Sequence, residues 1–309
     1  MTPFDVSVGI SPRQSFESWG SFVAQLEAEG VQRVWVIDSQ LAMKDVYAGL
    51  VVAALNTSRI GLGTGVTNAV TRHPTVTANA IAAVAEISHG RAILGLGAGD
   101  SALYGVGLKP QKVAEVEEAI DFFRSHIDQS VPIYLAVSQE RMCQLAGRKA
   151  DGAIVMGPAQ PDMVRQQVKW IEAGLRAAER GRSLFEIGLM ATTAGEVEDV
   201  RSWASTQARL LSHHKELPES LARFQSEIQR SAETYDYTEH LSTHAEHSGA
   251  VSDDLVRALA VVGTPEECAS RLRELQRTGI DALIFPLAGR NRAERWRKLR
   301  DEVLSQIIV

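Results

Sequence analysis

The sequence predicts an α/β protein: a single (β/α)8 TIM barrel with a helical insertion before its last strand. Three observations predict it. Short β-branched runs alternate with amphipathic stretches along the chain, and strict alternation of this kind builds a parallel sheet. Eight such runs occur, and eight βα units favour a closed barrel over an open doubly wound sheet. The 309 residues are 45% hydrophobic and 23% charged, the composition of a globular chain with a large core. One domain over 1–309 accommodates that length, because α/β barrels routinely run to ~250 residues or more.

The elements follow in order. FDVSVGI (4–10) is the first strand, and Ser15–Glu29 the first helix, with Phe16, Trp19, Phe22, Val23 and Leu26 at helical spacing. RVWVI (33–37) and RIGLGTGV (59–66) are strands two and three, followed by a helix over Pro74–Ser88. RAILGLG (91–97) precedes a helix over Lys112–His126, and VPIYLA (131–136) one over Gln139–Lys149. GAIVM (152–156) precedes Asp162–Arg180, and FEIGLMAT (185–192) is the seventh strand. DALIFPL (281–287) closes the set. The runs are apolar throughout, as strands covered on both faces must be. Before the last strand, Thr264-Pro-Glu-Glu267 spells a helix start: a threonine cap, proline in the first turn and a glutamate closing the capping box. Gly279 stops that helix. The polar stretch 212–254, rich in His, Glu and Ser, is expected to be a helical excursion serving as a lid or a dimer contact.

Charge and composition exclude several classes. Against 38 acidic residues stand 32 Lys and Arg, so the net charge is −6 and no basic excess recruits nucleic acid or an anionic membrane. No apolar run approaches the ~20 residues that span a bilayer. MTPFDVSVGI has no basic n-region and no long apolar h-region, so the expectation is a cytoplasmic protein. Cys143 and Cys268 lie in helical text and read as buried apolar residues, not as a disulfide framework. His240, His244 and His247 lack neighbouring ligands in a zinc pattern, so no metal is expected.

The glycine clusters Gly61-Leu-Gly-Thr-Gly65 and Gly95-Leu-Gly-Ala-Gly-Asp100 lie partly inside strands three and four, with the following helices starting near Pro74 and Pro110. That is the wrong context for a dinucleotide fingerprint. Glycines at barrel strand ends instead permit bulges, or close approach of the backbone to a flat ligand. The segment Gly65–Pro74 crowds Asn68, Thr71, Arg72 and His73 at the mouth, where capping of neighbouring elements is the competing role for Arg72 and His73. Asp38 and Asp100 end strands two and four. Clustered carboxylates in a partly dry pocket suit proton delivery.

These residues carry a resemblance. GTGVTNAVTRHPTVTANAIAAVAEISHGRAILGLGAGD (63–100) resembles the luciferase-like flavin and deazaflavin oxidoreductase (monooxygenase) superfamily, and within it the methylenetetrahydromethanopterin reductase branch. VWVIDS, VPIYLAVSQERMCQLAGRKADGAIVMG and VVGTPEECASRLRELQRTGIDALIF extend the resemblance over 4–195 and 255–287. It implies a barrel whose C-terminal mouth binds FMN or the deazaflavin coenzyme F420. It implies a non-prolyl cis peptide joining Gly65 and Val66 against the ring, with Asn68 at the ring edge and Thr64 and Gly97 beside it. Val137, Ser138 and Gly157 would surround the ribityl phosphate, a helix start at Ser138 suiting an anion; an ordinary helix cap is the alternative there. Asp38, Asp100 and His73 are the catalytic candidates. Where the branch carries a histidine after the strand-two aspartate, this chain has Ser39.

The implied activity is hydride transfer to or from a small organic substrate. The alternatives are a two-component monooxygenase fed reduced FMN by a separate flavin reductase, a phosphosugar lyase or isomerase, and a non-catalytic flavin binder. Relatives are commonly dimers or higher homo-oligomers, which is the expectation here.

Overall fold

Eight parallel strands close on themselves, and the computed structural model describes them within residues 4–128, 130–237, 249–287 and 291–307. In chain order the strands are β1 (Asp5–Ile10), β2 (Arg33–Val36), β3 (Gly61–Thr64), β4 (Ala92–Leu96), β5 (Ile133–Val137), β6 (Gly152–Val155) and β7 (Glu186–Met190). Then come the two-residue β8 (Thr193–Ala194) and β9 (Val261–Val262), and finally β10 (Ala282–Pro286). The barrel runs β1-β10-β7-β6-β5-β4-β3-β2, while β8 and β9 pair only with each other. Each of the eight expected runs is a barrel strand.

The helices are α1 (Phe16–Ala28), α2 (Val46–Asn56), α3 (Pro74–Ile87), α4 (Asp100–Tyr104), α5 (Val113–His126), α6 (Glu140–Lys149) and α7 (Pro161–Ala177). Beyond β7 come α8 (Arg201–Leu211), α9 (Glu219–Ala222), α10 (Gln225–Glu233), α11 (Asp253–Leu259), α12 (Pro265–Gln276) and α13 (Arg292–Lys298). The α12 start forms as its residues dictate: Thr264 Oγ1 accepts from Glu267 N at 3.3 Å and Glu267 Oε2 from Thr264 N at 2.8 Å. Helix α2, capped by Asp45, was not among the expected helices. Its run VYAGLVVAALN has almost no polar face to give a helical period.

Alternate residues of the strands point inward and stack in layers. At the base, Arg33 on β2 bridges Asp5 (2.8 Å) and Glu186, both acceptors for its guanidinium. Above them Trp35, Ile93, Tyr134, Ile154, Met190 and Ile284 fill the interior, with the Trp35 and Tyr134 rings 5.4 Å apart. The outward-facing strand residues join the helices in the main core. Cys143 and Cys268 are both buried free thiols within it, and burial pushes the Cys268 thiol up to about 11.

β3 stops short of the expected residue 66 because its register with β4 changes. Leu62 and Gly63 pair with Ala92 and Ile93, yet the next pairing joins Thr67 to Leu96. The β3 side therefore carries one extra residue, a bulge. The peptide bond Gly65–Val66 within it is cis.

After β7 the chain leaves the barrel. The β8–β9 pair staples the two ends of this excursion, and helices α8, α10 and α11 pack around a second apolar cluster that includes Ala204, Ala208, Leu211, Ile228 and Leu255. Helix α8 precedes the 212–254 stretch and shares its packing. Because the excursion starts at the C-terminal end of a strand, it stands on the mouth side of the barrel.

The bulge depends on glycine opposite it. A Cβ at Gly95 would lie 2.0 Å from the Thr64 carbonyl oxygen, a backbone atom that cannot move aside. Gly95→Ala is expected to lower the urea unfolding free energy by ~1–3 kcal/mol. Gly181→Ala, whose Cβ meets nothing closer than 3.8 Å, is expected to stay within ~0.5 kcal/mol.

Candidate active site

The predicted residues gather in three groups around the mouth. The first surrounds the bulge. Thr64 is fully buried, and its hydroxyl donates to the Gly95 carbonyl at 2.7 Å and accepts from the Gly95 N–H at 2.8 Å. Beyond the cis bond, Thr67 N donates to Gly95 O and Thr67 O accepts from Gly97 N, each at 2.9 Å. The bulge is thus fastened to β4 on both sides. Between the fasteners the Val66 side chain leans over β4, where Cβ atoms at Gly95 and Gly97 would come within 3.1 and 2.9 Å of its methyls.

Asp38 extends this fastening. It is 5% exposed and accepts from the Thr67 hydroxyl at 2.7 Å, from Arg72 at 2.5 and 3.2 Å and from the Gln40 amide at 2.9 Å. Every one of these contacts uses it as an acceptor. Arg72 also reaches Asp45 at 2.9 Å and lies 5.3 Å from the Tyr47 ring centroid. The Tyr47 hydroxyl is buried without a well-formed hydrogen bond, and burial pushes it up to about 12. Asp45 lies below its ordinary range: burial, which raises it, is outweighed by the α2 amides and Arg72. Asn68 is 1% exposed; its Oδ1 accepts from Val70 N and Thr71 N at 3.0 and 2.8 Å, closing the turn after the bulge. Among the described residues its Nδ2 donates to no protein group.

His73 stands apart. Its exposed ring caps α3, with Nδ1 accepting from Thr75 N at 3.3 Å and lying 2.8 Å from Thr75 Oγ1. The structure brings Asp38 to Arg72, not to this imidazole.

The second group lies at the ends of β5 and β6. Gln139, not Ser138, is the N-cap of α6, and no side chain caps that helix. Its first amides are therefore left without partners, the state in which a helix N-terminus attracts an anion. Among the described residues the Ser138 hydroxyl and the Gly157 N–H also lack a protein partner. The Val137 side chain faces the helices in the main core, so only its backbone borders the mouth.

The third group surrounds the predicted Asp100, but its partners were not legible in the sequence. Arg209 on α8 is 1% exposed and grips Asp100 through its two terminal guanidinium nitrogens, Nη1 to Oδ1 at 3.2 Å. Its guanidinium lies 5.0 and 5.3 Å from the Tyr235 and Tyr237 ring centroids. Burial, which lowers the Arg209 pKa, is outweighed by Asp100, so the guanidinium stays charged. Nearby, the Gln207 amide, with its oxygen and nitrogen assigned by the partners they face, donates to the Met156 carbonyl at 3.1 Å and accepts from Trp203 Nε1 at 3.3 Å. Trp203 and Met156 both pack on the interior cluster, so the excursion reaches the barrel's inner layer. An arginine in a polar helical stretch gave no local signal of burial.

His240, His244 and His247 lie outside the described residues. Among the described residues no group of His, Cys, Asp and Glu could hold a metal ion, and no helix is long and apolar enough to cross a membrane. A cavity of about 600 Å³ lies between the Thr193–Glu196 turn, the start of α12 and the C-terminal helices, and none of the predicted site residues lines it.

Residues 1–282 match the model of the luciferase-like monooxygenase family. The chain belongs to this family. It is 29% identical over 295 residues to 5,10-methylenetetrahydromethanopterin reductase of Methanolobus tindarius, covering 84% of this chain and 86% of that one. Among solved structures, the F420-dependent tetrahydromethanopterin reductase of Methanopyrus kandleri superposes with a TM-score of 0.79 at 19% identity, over 99% of this chain and 100% of that one. An F420-dependent secondary alcohol dehydrogenase superposes with a TM-score of 0.78 at 16% identity, over 99% of both. The luciferase-like resemblance read from 63–100 and the barrel deduced from the element count therefore agree with the family.

Two expectations follow. Because Asp45 has the lower pKa in the folded state, its contribution to stability is whole above about pH 4 and is lost as pH falls through the folded value. Acid titrations of Asp45→Asn should lack that component, seen as a shallower loss of stability below about pH 4. Arg209→Met should speed amide exchange in α8 and around Tyr235, because it removes both the ion pair that docks α8 on Asp100 and the cation beside the Tyr235 and Tyr237 rings. Exchange in β1–β6 should stay as in the parent.

Proposed function

We propose that the protein is an oxidoreductase that transfers hydride between a small organic substrate and the deazaflavin coenzyme F420 held at the C-terminal mouth of the barrel. The observation that carries this reading is the β3 bulge at Gly65 and Val66, fastened to β4 by Thr64 and Thr67 over the two glycines. It makes a rigid backbone wall with one aliphatic side chain on it, the kind of surface on which a flat ring rests. The family membership and the F420-dependent relatives support the choice of ring.

The remaining residues fit such a group. The free Asn68 Nδ2 is a donor beside the wall, suited to an acceptor on the ring edge. The Ser138 hydroxyl, the uncapped α6 amides and the Gly157 N–H form a cradle of donors suited to a phosphate. The bound deazaflavin would supply a two-electron hydride carrier that does not activate oxygen.

Within this reading, Asp38 positions: its carboxylate holds Thr67 and Arg72, and through them the wall. Asp100, 41% exposed at its side chain, is the carboxylate with access to solvent and, held by Arg209, is assigned to accepting a hydrogen bond from the substrate. His73 is exposed and already engaged as a cap, so it contributes to the α3 start. The Arg209 and Gln207 contacts bring the excursion over the mouth, where it excludes water and shapes the substrate side.

The test is a titration of the purified protein with F420, oxidised FMN and reduced FMN, following ring fluorescence. F420 is expected to bind most tightly, and Ser138→Ala to weaken it about tenfold, the scale of one hydrogen bond to a charged group. Preference for reduced FMN with oxygen consumption would overturn hydride transfer in favour of monooxygenation supplied by a separate flavin reductase. Binding of none of the three would overturn the reading altogether.

A further inference from the structure

The two halves of the phosphate cradle come from different βα units, and one buried side chain joins them. Gln167 lies on α7 and is fully buried. Its Nε2 donates to the Ser138 carbonyl at 2.8 Å, the residue immediately before the α6 cap. The same amide lies flat against Gly157: a Cβ there would sit 2.7 Å from Nε2 and 2.8 Å from Oε1. Oε1 itself is buried and has no hydrogen-bond partner.

A polar amide at a fully buried helix position is unusual, because an unpaired acceptor in the interior costs stability that an apolar residue of similar volume would not. Core packing alone therefore does not account for a glutamine here. What the amide does, and leucine or methionine could not, is hold the Ser138 backbone while leaving a flat face for Gly157. Holding that carbonyl inward fixes the peptide plane between Ser138 and Gln139. This aims the Gln139 N–H and the following α6 amides away from Gln167, toward the mouth.

We propose that Gln167 is a positioning residue for the anion: it sets the Ser138 peptide and the Gly157 turn so that their donors converge on the cofactor's phosphate. The inference rests on the reading of Ser138 and Gly157 as a phosphate cradle. It adds a residue remote from the ligand that acts through both halves at once, and it explains why residue 157 is glycine.

The test compares affinities for ligand pairs that differ only beyond the ribityl chain: FMN against riboflavin, and F420 against its phosphate-free chromophore. The readout is binding by fluorescence, with no turnover required. In the parent protein the phosphate-bearing member is expected to bind at least about tenfold tighter. Gln167→Met should cut that ratio by about fivefold or more while leaving the phosphate-free Kd unchanged. Gly157→Ala, which pushes the same amide aside without removing it, should do the same and serves if Gln167→Met does not fold. Ser138→Ala reports on the cradle alone.

The outcomes separate the two claims. A ratio near one in the parent protein would remove the cradle and the inference together. A ratio that falls in Ser138→Ala but not in Gln167→Met or Gly157→Ala would leave the cradle standing and overturn the role of Gln167. Equal weakening of both ligands in Gln167→Met would mean that the glutamine supports the fold only, and would likewise overturn it.

Discussion

The hydrogen bonds that fasten the β3 bulge to β4 are the constraint on which the mouth depends. Thr64 exchanges two side-chain bonds with Gly95 on one side of the cis peptide, and Thr67 exchanges two backbone bonds with Gly95 and Gly97 on the other. A strand that gains one residue must push backbone out of the ladder, and buried backbone groups need partners wherever they go. The threonine hydroxyl supplies those partners on the near side. Asp38 then ties Thr67 to Arg72, and Arg72 ties the loop before α3 to the cap of α2. One irregularity in a strand thereby organises the ends of β2, β3 and β4.

The other side of the mouth is fastened by charge and amides on longer connections. Arg209 crosses from the excursion to Asp100, with the Tyr235 and Tyr237 rings beside its guanidinium. An ion pair whose cation alone is buried adds little net stability over an apolar substitute, but removing the carboxylate leaves the buried guanidinium uncompensated. Its value lies in specifying where α8 docks, because a charged guanidinium in that interior has Asp100 as its carboxylate partner. Gln207 repeats the logic with a neutral amide at the Met156 carbonyl. Together they hold a second apolar cluster against the barrel without merging the two cores.

Strand and helix identity were legible because they rest on local chemistry: β-branched apolar runs, the Thr264 capping box and the Pro74 start are encoded within a few residues of where they act. The bulge was legible at residue level through the glycines and the resemblance of 63–100. The α2 helix was not, because its uniformly apolar run carries no period. The catalytic candidates were legible as residue types at strand ends, but their partners were not. Arg209 is 109 residues from Asp100, Arg72 is 34 from Asp38 and Gln167 is 29 from Ser138.

The sequence by itself determined the barrel, its eight strands, its long excursion after the seventh strand and the residues at its mouth, because periodicity and turn chemistry are local and additive. Only the tertiary structure decided what those residues do to one another. It turned Asp38 into the keystone of a bulge, gave Asp100 to an arginine of the excursion, left His73 as a cap and placed Gln167 beneath two loops at once. The physical reason is that a buried polar group takes whichever partner the closed chain brings within about 3 Å, and no spacing along a linear sequence records that choice.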